Sequence, residues 1–505
     1  MSRIDVVAAP QNTTEDESQR RHDGQRRTLL KGGLAALGAG WFGAAAAVES
    51  RSAPREPRAA RWTLVETARD NGHRLHPLSV ANLPATAGSP TLHLDPNQRL
   101  QKLLGFGGAL TESSAWVLSK LPAQRRAEVL RRYYDLHDGI GYTLARTHIG
   151  SCDFSLSTWS LANTPGDYEL LDFSLAAMRR WLLPLLHETQ RIAGKERFKL
   201  LATPWSPPAW MKTNNEMDNG GSLRAEYAPT WAQHYVRFIE AMRREEKLPI
   251  WALTVQNEPE AAQRWESCVY APDQEQAFVR DHLGPALQAA GMSDVKLYGW
   301  DHNRDGIEKR AAVLLGDPAT AKYLSGLALH WYVSNDYAAA QRVLEKYPDK
   351  QVLFTEGCVE GGARPGDWSV GERYARNIIG DLSHGVCGWI DWNIALDMRG
   401  GPNHVGNFCD APVLVDTQSG EVHYQSSFYY LAHFSKHVVP GAQRIASTSL
   451  YPLLHSIAFA NPDGSIVVII ANDGDAAQNF NLAQAGVTRA CAIPPHAIQT
   501  YNIAV

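Results

Sequence analysis

The feature that most restricts the fold is an alternation of short β-rich runs with helix-length apolar stripes, sustained from residue 103 to residue 390. The runs are Leu103–Phe106, Tyr142–His148, Phe198–Thr203, Ile250–Val255, Val295–Tyr298, Leu327–Tyr332, Gln351–Thr355 and Val386–Ile390. Between them Trp231, Tyr235, Phe238, Ile239 and Met242 form one face of a helix. Pro229-Thr230 stands ahead of it as a start signal, and Arg243-Arg244 sits where the helix dipole favours cations. Two more helices are expected, from about Asp172 to Ile192 and from Pro272 to Ala290. Eight β/α pairs in series predict an α/β fold, a (β/α)8 (TIM) barrel rather than a doubly wound sheet.

Both flanks read differently. After Phe434 the runs Leu454–Phe459, Ser465–Ala471, Phe480–Leu482 and Ile498–Ile503 predict strands, with a hairpin turn at Asn461-Pro462-Asp463-Gly464. Trp62–Ala68 and Thr91–Leu94 predict strands ahead of the barrel. Neither flank alone makes an adequate sandwich, so the two chain ends are expected to pair into one β-sandwich side domain. The expected organisation is N-terminal sandwich strands at 62–98, the barrel at 99–431 and the rest of the sandwich at 432–505.

Residues 1–47 are of another kind. Arg26-Arg27 precede a mild Ala/Gly/Leu run from Gly32 to Val48, with small residues at Ala44–Ala47. This pattern resembles a twin-arginine export signal and predicts a periplasmic or extracellular protein. Residues 48–61 read as a linker. No other stretch is apolar enough to cross a membrane, so no span is expected in the mature chain, and no feature specifies an oligomeric state. The 505 residues are 44% hydrophobic with a net charge of −4, which predicts buried cores and gives no electrostatic reason for a nucleic-acid partner. Six cysteines without a CxxC pair argue against a disulfide scaffold or zinc ribbon. A protein folded before export would keep free thiols, including Cys152, Cys268 and Cys358.

In such barrels the reacting groups stand at the C-terminal ends of strands. The fourth run ends in Gln256-Asn257-Glu258-Pro259 and the seventh in Glu356-Gly357. Two carboxylates on one barrel mouth suit glycoside cleavage, in which one protonates the departing oxygen while the other attacks the anomeric carbon or activates water. Their separation decides between retention and inversion. The acid needs its pKa raised by burial and by its negative neighbour, and a nucleophile must stay ionised. His148, His302, His330 and His404 lack a recognised metal-ligand spacing, so no metal is expected. Gly105-Phe106-Gly107-Gly108 is too short for a phosphate-binding fingerprint and is read as a tight first βα loop under the sugar site.

The stretches GFGGALTESSA (105–115), GSCDFSLSTW (150–159), ATPWSPPAWMKTN (202–214), VQNEP (255–259), LHWY (329–332), FTEGCVEG (354–361) and GWIDWNIALDMRGGPNHVGNF (388–408) resemble glycoside hydrolase family 30, especially its glucosylceramidase branch. The resemblance implies a barrel with a β-sandwich made from both chain ends. It implies Glu258 as general acid/base and Glu356 as nucleophile of a retaining reaction. It further implies Asn257 on the sugar 2-hydroxyl, and Asp153, Trp205, Trp392 and Asn407 around the terminal sugar. Arg146 and Tyr332 would orient Glu356. Taken alone, Asp153 could cap a loop, the two tryptophans could be barrel packing, and Arg146 could be a structural ion partner.

Gln256, Gly357 and His404 depart from the lysosomal relative and flank the sugar pocket, which bears on the leaving group. The expected activity is hydrolysis of a terminal β-D-glucosyl residue from glucosylceramide or another β-glucoside, without a cofactor. A β-xylosidase or β-1,6-glucanase is the alternative within the family. A non-catalytic carbohydrate-binding protein is the alternative of another class.

Overall fold

A computed structural model describes residues 61–504. The expected export signal at 1–47 and the linker up to residue 60 lie outside the described residues, and Arg61 already belongs to a strand. The expected barrel closes. Its strands are β1 (Gly105–Ala109), β2 (Leu144–Ile149), β3 (Lys199–Pro204), β4 (Ile250–Thr254), β5 (Lys296–Asn303), β6 (Gly326–His330), β7 (Gln351–Glu356) and β8 (Gly388–Asn393). They pair in parallel in that order, and β8 returns to β1 through Gly388↔Gly105 and Trp389↔Phe106.

The period-2 alternation of the strands sorts the barrel interior into layers. Leu144, Leu201, Ala252, Tyr298, Ala328, Leu353 and Ile390 make a closed apolar plug. Two positions further along six of these strands come Arg146, Thr203, Thr254, His330, Thr355 and Trp392, all buried. The plug thus supplies the floor on which a polar layer stands, just inside the C-terminal mouth.

The glycine run does not form the expected βα loop. Gly105–Ala109 is strand β1 itself. A Cβ on Gly107 would lie 2.0 Å from the Leu144 carbonyl oxygen, so the glycine is required by the close approach of β1 and β2.

The helix bearing Trp231 spans Ala228–Arg244 and buries its expected face. The helix expected over 172–192 is divided into Ala176–Arg179 and Leu182–Ala193. Pro184 lacks an N–H and fits only the first turn of the second piece. The stretch from Pro272 to Ala289 is continuous but passes through a π-helical segment at Val279–Leu283, just before Pro285.

The chain ends meet as expected. Arg61–Ala68 pairs antiparallel with Ala497–Ala504 over its full length, from Arg61↔Ala504 to Ala68↔Ala497. Ala497–Ala504 also pairs with Ile466–Asn472. Trp62, Leu64, Val468, Ile470, Phe480, Tyr501 and Ile503 fill the sandwich core, while Val467, Ile469 and Ile498 pack towards the barrel. Strands at Gln443–Ser447 and Val487–Ile493 add to those expected. Thr91–Lys102 runs past the expected boundary at 98, and the helix Ser426–Ser435 past that at 431. After β8 a small sheet of Leu396–Asp397, Val413–Val415 and Val422–Tyr424 anchors the loop that holds Asn403–Asn407. All six cysteines are free, and no helix among the described residues is long and apolar enough to cross a membrane.

Gly107→Ala should destabilise the protein at or beyond the upper end of the about 1–3 kcal/mol typical of overpacking, because backbone rather than a side-chain tip must yield. Urea unfolding measures this, and a loss below about 1 kcal/mol would mean that β1 and β2 approach less closely.

Candidate active site

The polar layer converges on Arg146, which projects from β2 and is wholly buried. Its Nη2 donates to Asp301 Oδ2 at 2.8 Å and to Asn257 Oδ1 at 2.9 Å, and its Nε donates to Thr203 Oγ1 at 3.3 Å. Its Nη1 donates to Glu356 Oε2. Tyr332 Oη donates to the other Glu356 oxygen at 2.8 Å. The guanidinium lies over Trp205 and Trp392, 4.8 and 5.4 Å from their ring centroids, and the two indoles stack at 5.3 Å. Arg146 is therefore both structural ion partner and orienting group. The tryptophans are both packing and cavity wall.

Asp301 was not anticipated. Besides Arg146, it accepts from Thr254 Oγ1 at 2.7 Å, Thr355 Oγ1 at 2.6 Å and His330 Nε2 at 3.0 Å. An irregularity in β5 between Trp300 and His302, with positive φ at Trp300 (70°) and Asp301 (51°), accompanies this inward placement. The expected fifth strand stopped at Tyr298, so the position after it was Gly299. The run Trp300-Asp301-His302-Asn303, read as a continuation of the strand, would have exposed the signal. Burial opposes ionisation of Asp301, but Arg146 and His330 outweigh it and hold the carboxyl well below its ordinary range.

Glu258 follows β4 with φ at +48°. Its Oε1 lies 3.1 Å from His330 Nδ1 and 3.8 Å from His302 Nδ1. One carboxylate oxygen each of Glu258 and Glu356 and a ring nitrogen of His330 lie within 4.8 Å of one another. Those three groups could in principle hold a cation, but both ring nitrogens of His330 already face carboxylates. Burial would lower His330, yet Glu356, Asp301 and Glu258 raise it to about 9. A charged imidazolium opposes metal binding.

The carboxylate directions run opposite to the sequence expectation for the substrate-free site. Burial pushes Glu258 up, but the His330 hydrogen bond and charge bring it below its ordinary value. Burial pushes Glu356 up; His330 and Arg146 pull it back and Glu258 adds to the rise, leaving it raised. For Glu258 the reason is His330, which was considered only as a metal ligand and which donates to it; for Glu356, burial and the Glu258 charge outweigh His330 and Arg146.

Both carboxylates open into a cavity of about 390 Å³, lined also by Asp153, Trp205, Asn257, Tyr332, Trp392 and Asn407. All of the residues expected to touch the sugar thus share one space. Asp153 Oδ2 accepts from Asn407 Nδ2 at 3.0 Å and from Asn403 Nδ2 at 3.3 Å. Burial raises Asp153 to about 7 against the Asn407 hydrogen bond. His404 clasps the same loop, its Nδ1 reaching the Asp153 carbonyl at 3.1 Å and its Nε2 standing 3.4 Å from buried Glu266.

Gln256, Gly357 and His404 do not line the cavity; they stand behind residues that do. Gln256 Nε2 donates to the Trp205 carbonyl at 2.6 Å. A Cβ on Gly357 would meet Phe354 and Trp331 at 2.8 Å.

Asp301→Ala should cost about 3–5 kcal/mol, the range for removing one partner of a buried ion pair, since Arg146 and His330 lose a shared counter-ion. Urea unfolding at neutral pH checks this; a loss under about 1 kcal/mol, as for a surface pair, would contradict it.

Residues 103–438 match the glycosyl hydrolase family 30 TIM-barrel domain, and residues 441–501 match the glycosyl hydrolase family 30 beta sandwich domain. The chain is 36% identical to lysosomal acid glucosylceramidase of Mus musculus over 422 residues, covering 79% of this chain and 81% of that one. It is 28% identical to an endo-1,6-beta-D-glucanase of Neurospora crassa, over 78% of this chain and 84% of the other. The crystal structure of SrfJ from Salmonella typhimurium superposes with a TM-score of 0.84 at 33% identity, covering 88% of this chain and 100% of that one. With both domain matches, and with paired carboxylates at the mouth of a closed barrel, the chain is a glycoside hydrolase and belongs to glycosyl hydrolase family 30.

Proposed function

We propose that the protein is a retaining β-glycosidase that removes a terminal β-D-glucosyl residue from glucosylceramide or another β-glucoside, and that it acts after export. The observation that carries the retaining assignment is the proximity of Glu258 and Glu356, with one oxygen of each within 4.8 Å. That spacing is nearer the about 5–5.5 Å of retaining pairs than the about 6.5–9.5 Å of inverting ones, which supports retention.

In the first step a Glu356 oxygen attacks the anomeric carbon while its bond to the leaving oxygen breaks. Glu258 gives that oxygen a proton. In the second step Glu258 takes a proton from water, the water oxygen attacks the same carbon and Glu356 departs. Asn257 keeps Oδ1 on Arg146, which leaves its Nδ2 for the 2-hydroxyl. Asp153 and Asn407 take the remaining hydroxyls.

The acid's proton is stored on the His330 side of the 3.1 Å contact with Glu258. Proton transfer from His330 Nδ1 to Glu258 leaves a neutral imidazole whose Nε2–H still donates to Asp301. The two residues then act as one acid. kcat/KM should fall as pH drops through the raised pKa of Glu356, because its protonated form cannot attack. It should fall again as pH rises past about 9, where the His330–Glu258 couple has lost its proton. His330→Asn should move the alkaline limb to lower pH and leave the acid limb near its original place. An unmoved alkaline limb would remove His330 from this role.

On an activated aryl β-glucoside, Glu258→Ala should still form the covalent intermediate, turn it over slowly and be rescued by azide. Glu356→Ala should lose at least about a thousandfold in kcat, the scale of removing a group that acts as a unit with its partners. Turnover near wild type in Glu356→Ala would end the assignment.

A further inference from the structure

His404, in the Asn403–Asn407 loop after β8, touches two other loops on the barrel mouth. Its Nδ1 lies 3.1 Å from the Asp153 carbonyl oxygen and 3.2 Å from that of Ser155, both in the loop after β2. Its Nε2 lies 3.4 Å from Glu266 Oε2, in the loop after β4, and 3.4 Å from Thr158 Oγ1. We propose that His404 is a positioning residue for the terminal sugar: as an imidazolium it ties the three loops together and so holds Asp153 and Asn407 where they meet the sugar's hydroxyls. The inference rests on the β-glucosidase reading of that pocket and adds the group that sets its affinity.

The first argument is a proton count. Two carbonyl oxygens flank Nδ1, where a lone pair would be repelled, so Nδ1 carries a hydrogen. Nε2 faces an oxygen of wholly buried Glu266 that makes no hydrogen bond elsewhere among the described residues. The other Glu266 oxygen accepts from Ser151 Oγ at 2.6 Å. A buried carboxylate needs a cation, so Nε2 carries a hydrogen as well. Burial lowers His404, but the hydrogen bond and charge of Glu266 outweigh it and leave its pKa raised. Burial raises Glu266, and His404 brings it below its ordinary value. The neighbouring groups do not replace this pairing. The Asp153 carboxyl is taken by Asn403 and Asn407, and His148 is neutral because its Nε2 accepts from the Glu112 N–H at 3.1 Å. The Lys212 ammonium donates to the Met217 and Ser267 carbonyls.

The second argument is where the clasp acts. Asn403 Oδ1 accepts from the N–H groups of Val405 and Asn407 at 3.1 and 2.9 Å, which fixes the turn around His404. The same turn presents Asn407 Nδ2 to Asp153 Oδ2 at 3.0 Å. His404 thus holds the backbone of the two segments whose side chains line the cavity, without lining it itself. Glu258 and Glu356 are held by His330, Arg146 and Tyr332 instead. Loss of the clasp should therefore weaken sugar binding far more than it slows the chemistry.

The test uses the full-length protein with 4-nitrophenyl β-glucoside as substrate and phenyl 1-thio-β-glucoside, which resists hydrolysis, as inhibitor. Near the ordinary histidine pKa of about 6.5 the clasp is charged. There His404→Gln should raise KM and the inhibition constant at least tenfold and lower kcat less than threefold. Glu266→Gln should do the same, and the double variant should be no weaker than either single one, because one ion pair carries both effects. As pH rises through the raised pKa of His404, wild type should lose affinity towards the level of the variants and the gap should close. Additive single effects, a gap that is constant with pH, or equal losses in kcat and kcat/KM would each overturn the proposal. If one variant does not fold, the other carries the same comparison with wild type. Failure of wild type on the aryl glucoside would instead overturn the β-glucosidase reading. The clasp is then judged by hydrogen exchange over residues 397–409, which His404→Gln should speed at least tenfold; unchanged exchange would count against it.

Discussion

The buried guanidinium of Arg146 is the interaction on which the rest depends. A charge taken fully out of water costs several kcal/mol even after relaxation, and only a complete set of partners makes its burial tolerable. Those partners are Thr203, Asn257, Asp301 and Glu356, supplied by or just after strands β3, β4, β5 and β7, while Arg146 itself belongs to β2. Satisfying the charge and holding the mouth of the barrel in register are therefore the same event. The local backbone costs, positive φ at Trp300, Asp301 and Glu258, fall where side chains must turn into this layer.

The layer also determines where protons reside. Asp301 anchors the negative charge between Arg146 and His330, His330 stays cationic, and Glu258 is held ionised by it. In the proposed mechanism, acid and nucleophile are then distinguished by their neighbours rather than by residue type. Glu258 has a protonated imidazole at hand, whereas Glu356 has a permanent cation and a tyrosine hydroxyl. Asp153, raised to about 7 by burial, adds a further buried carboxyl to the cavity wall.

Much of this was legible in the sequence because it follows from local periodicity. All eight barrel strands were expected within a few residues of their positions, and reading the residue after a strand led to Glu258 and Glu356. The method failed where a strand leaves its regular path. Asp301 turns inward at an irregularity of β5 that period-2 reading cannot foresee, and His330 ends β6 two residues earlier than its apolar run suggests. The lowered pKa of Glu258 follows from the same omission, since His330 from another strand sets it, whereas burial raises Glu356. The glycines of β1 were misassigned because a close strand contact and a tight turn both call for glycine. In the side domain, Thr91–Lys102 was cut short because its polar second half, with Asp95 and Pro96, looks like loop; pairing with Gln443–Ser447 extends it.

The central claim is that a close carboxylate pair, held by Arg146, works through a covalent sugar–Glu356 intermediate. The anomeric configuration of the first-formed product tests it most directly. Proton NMR on an aryl β-glucoside, recorded before mutarotation, should show β-glucose appearing first, with the α-anomer growing in only later. α-Glucose as the initial product would mean direct attack by water and would contradict the account.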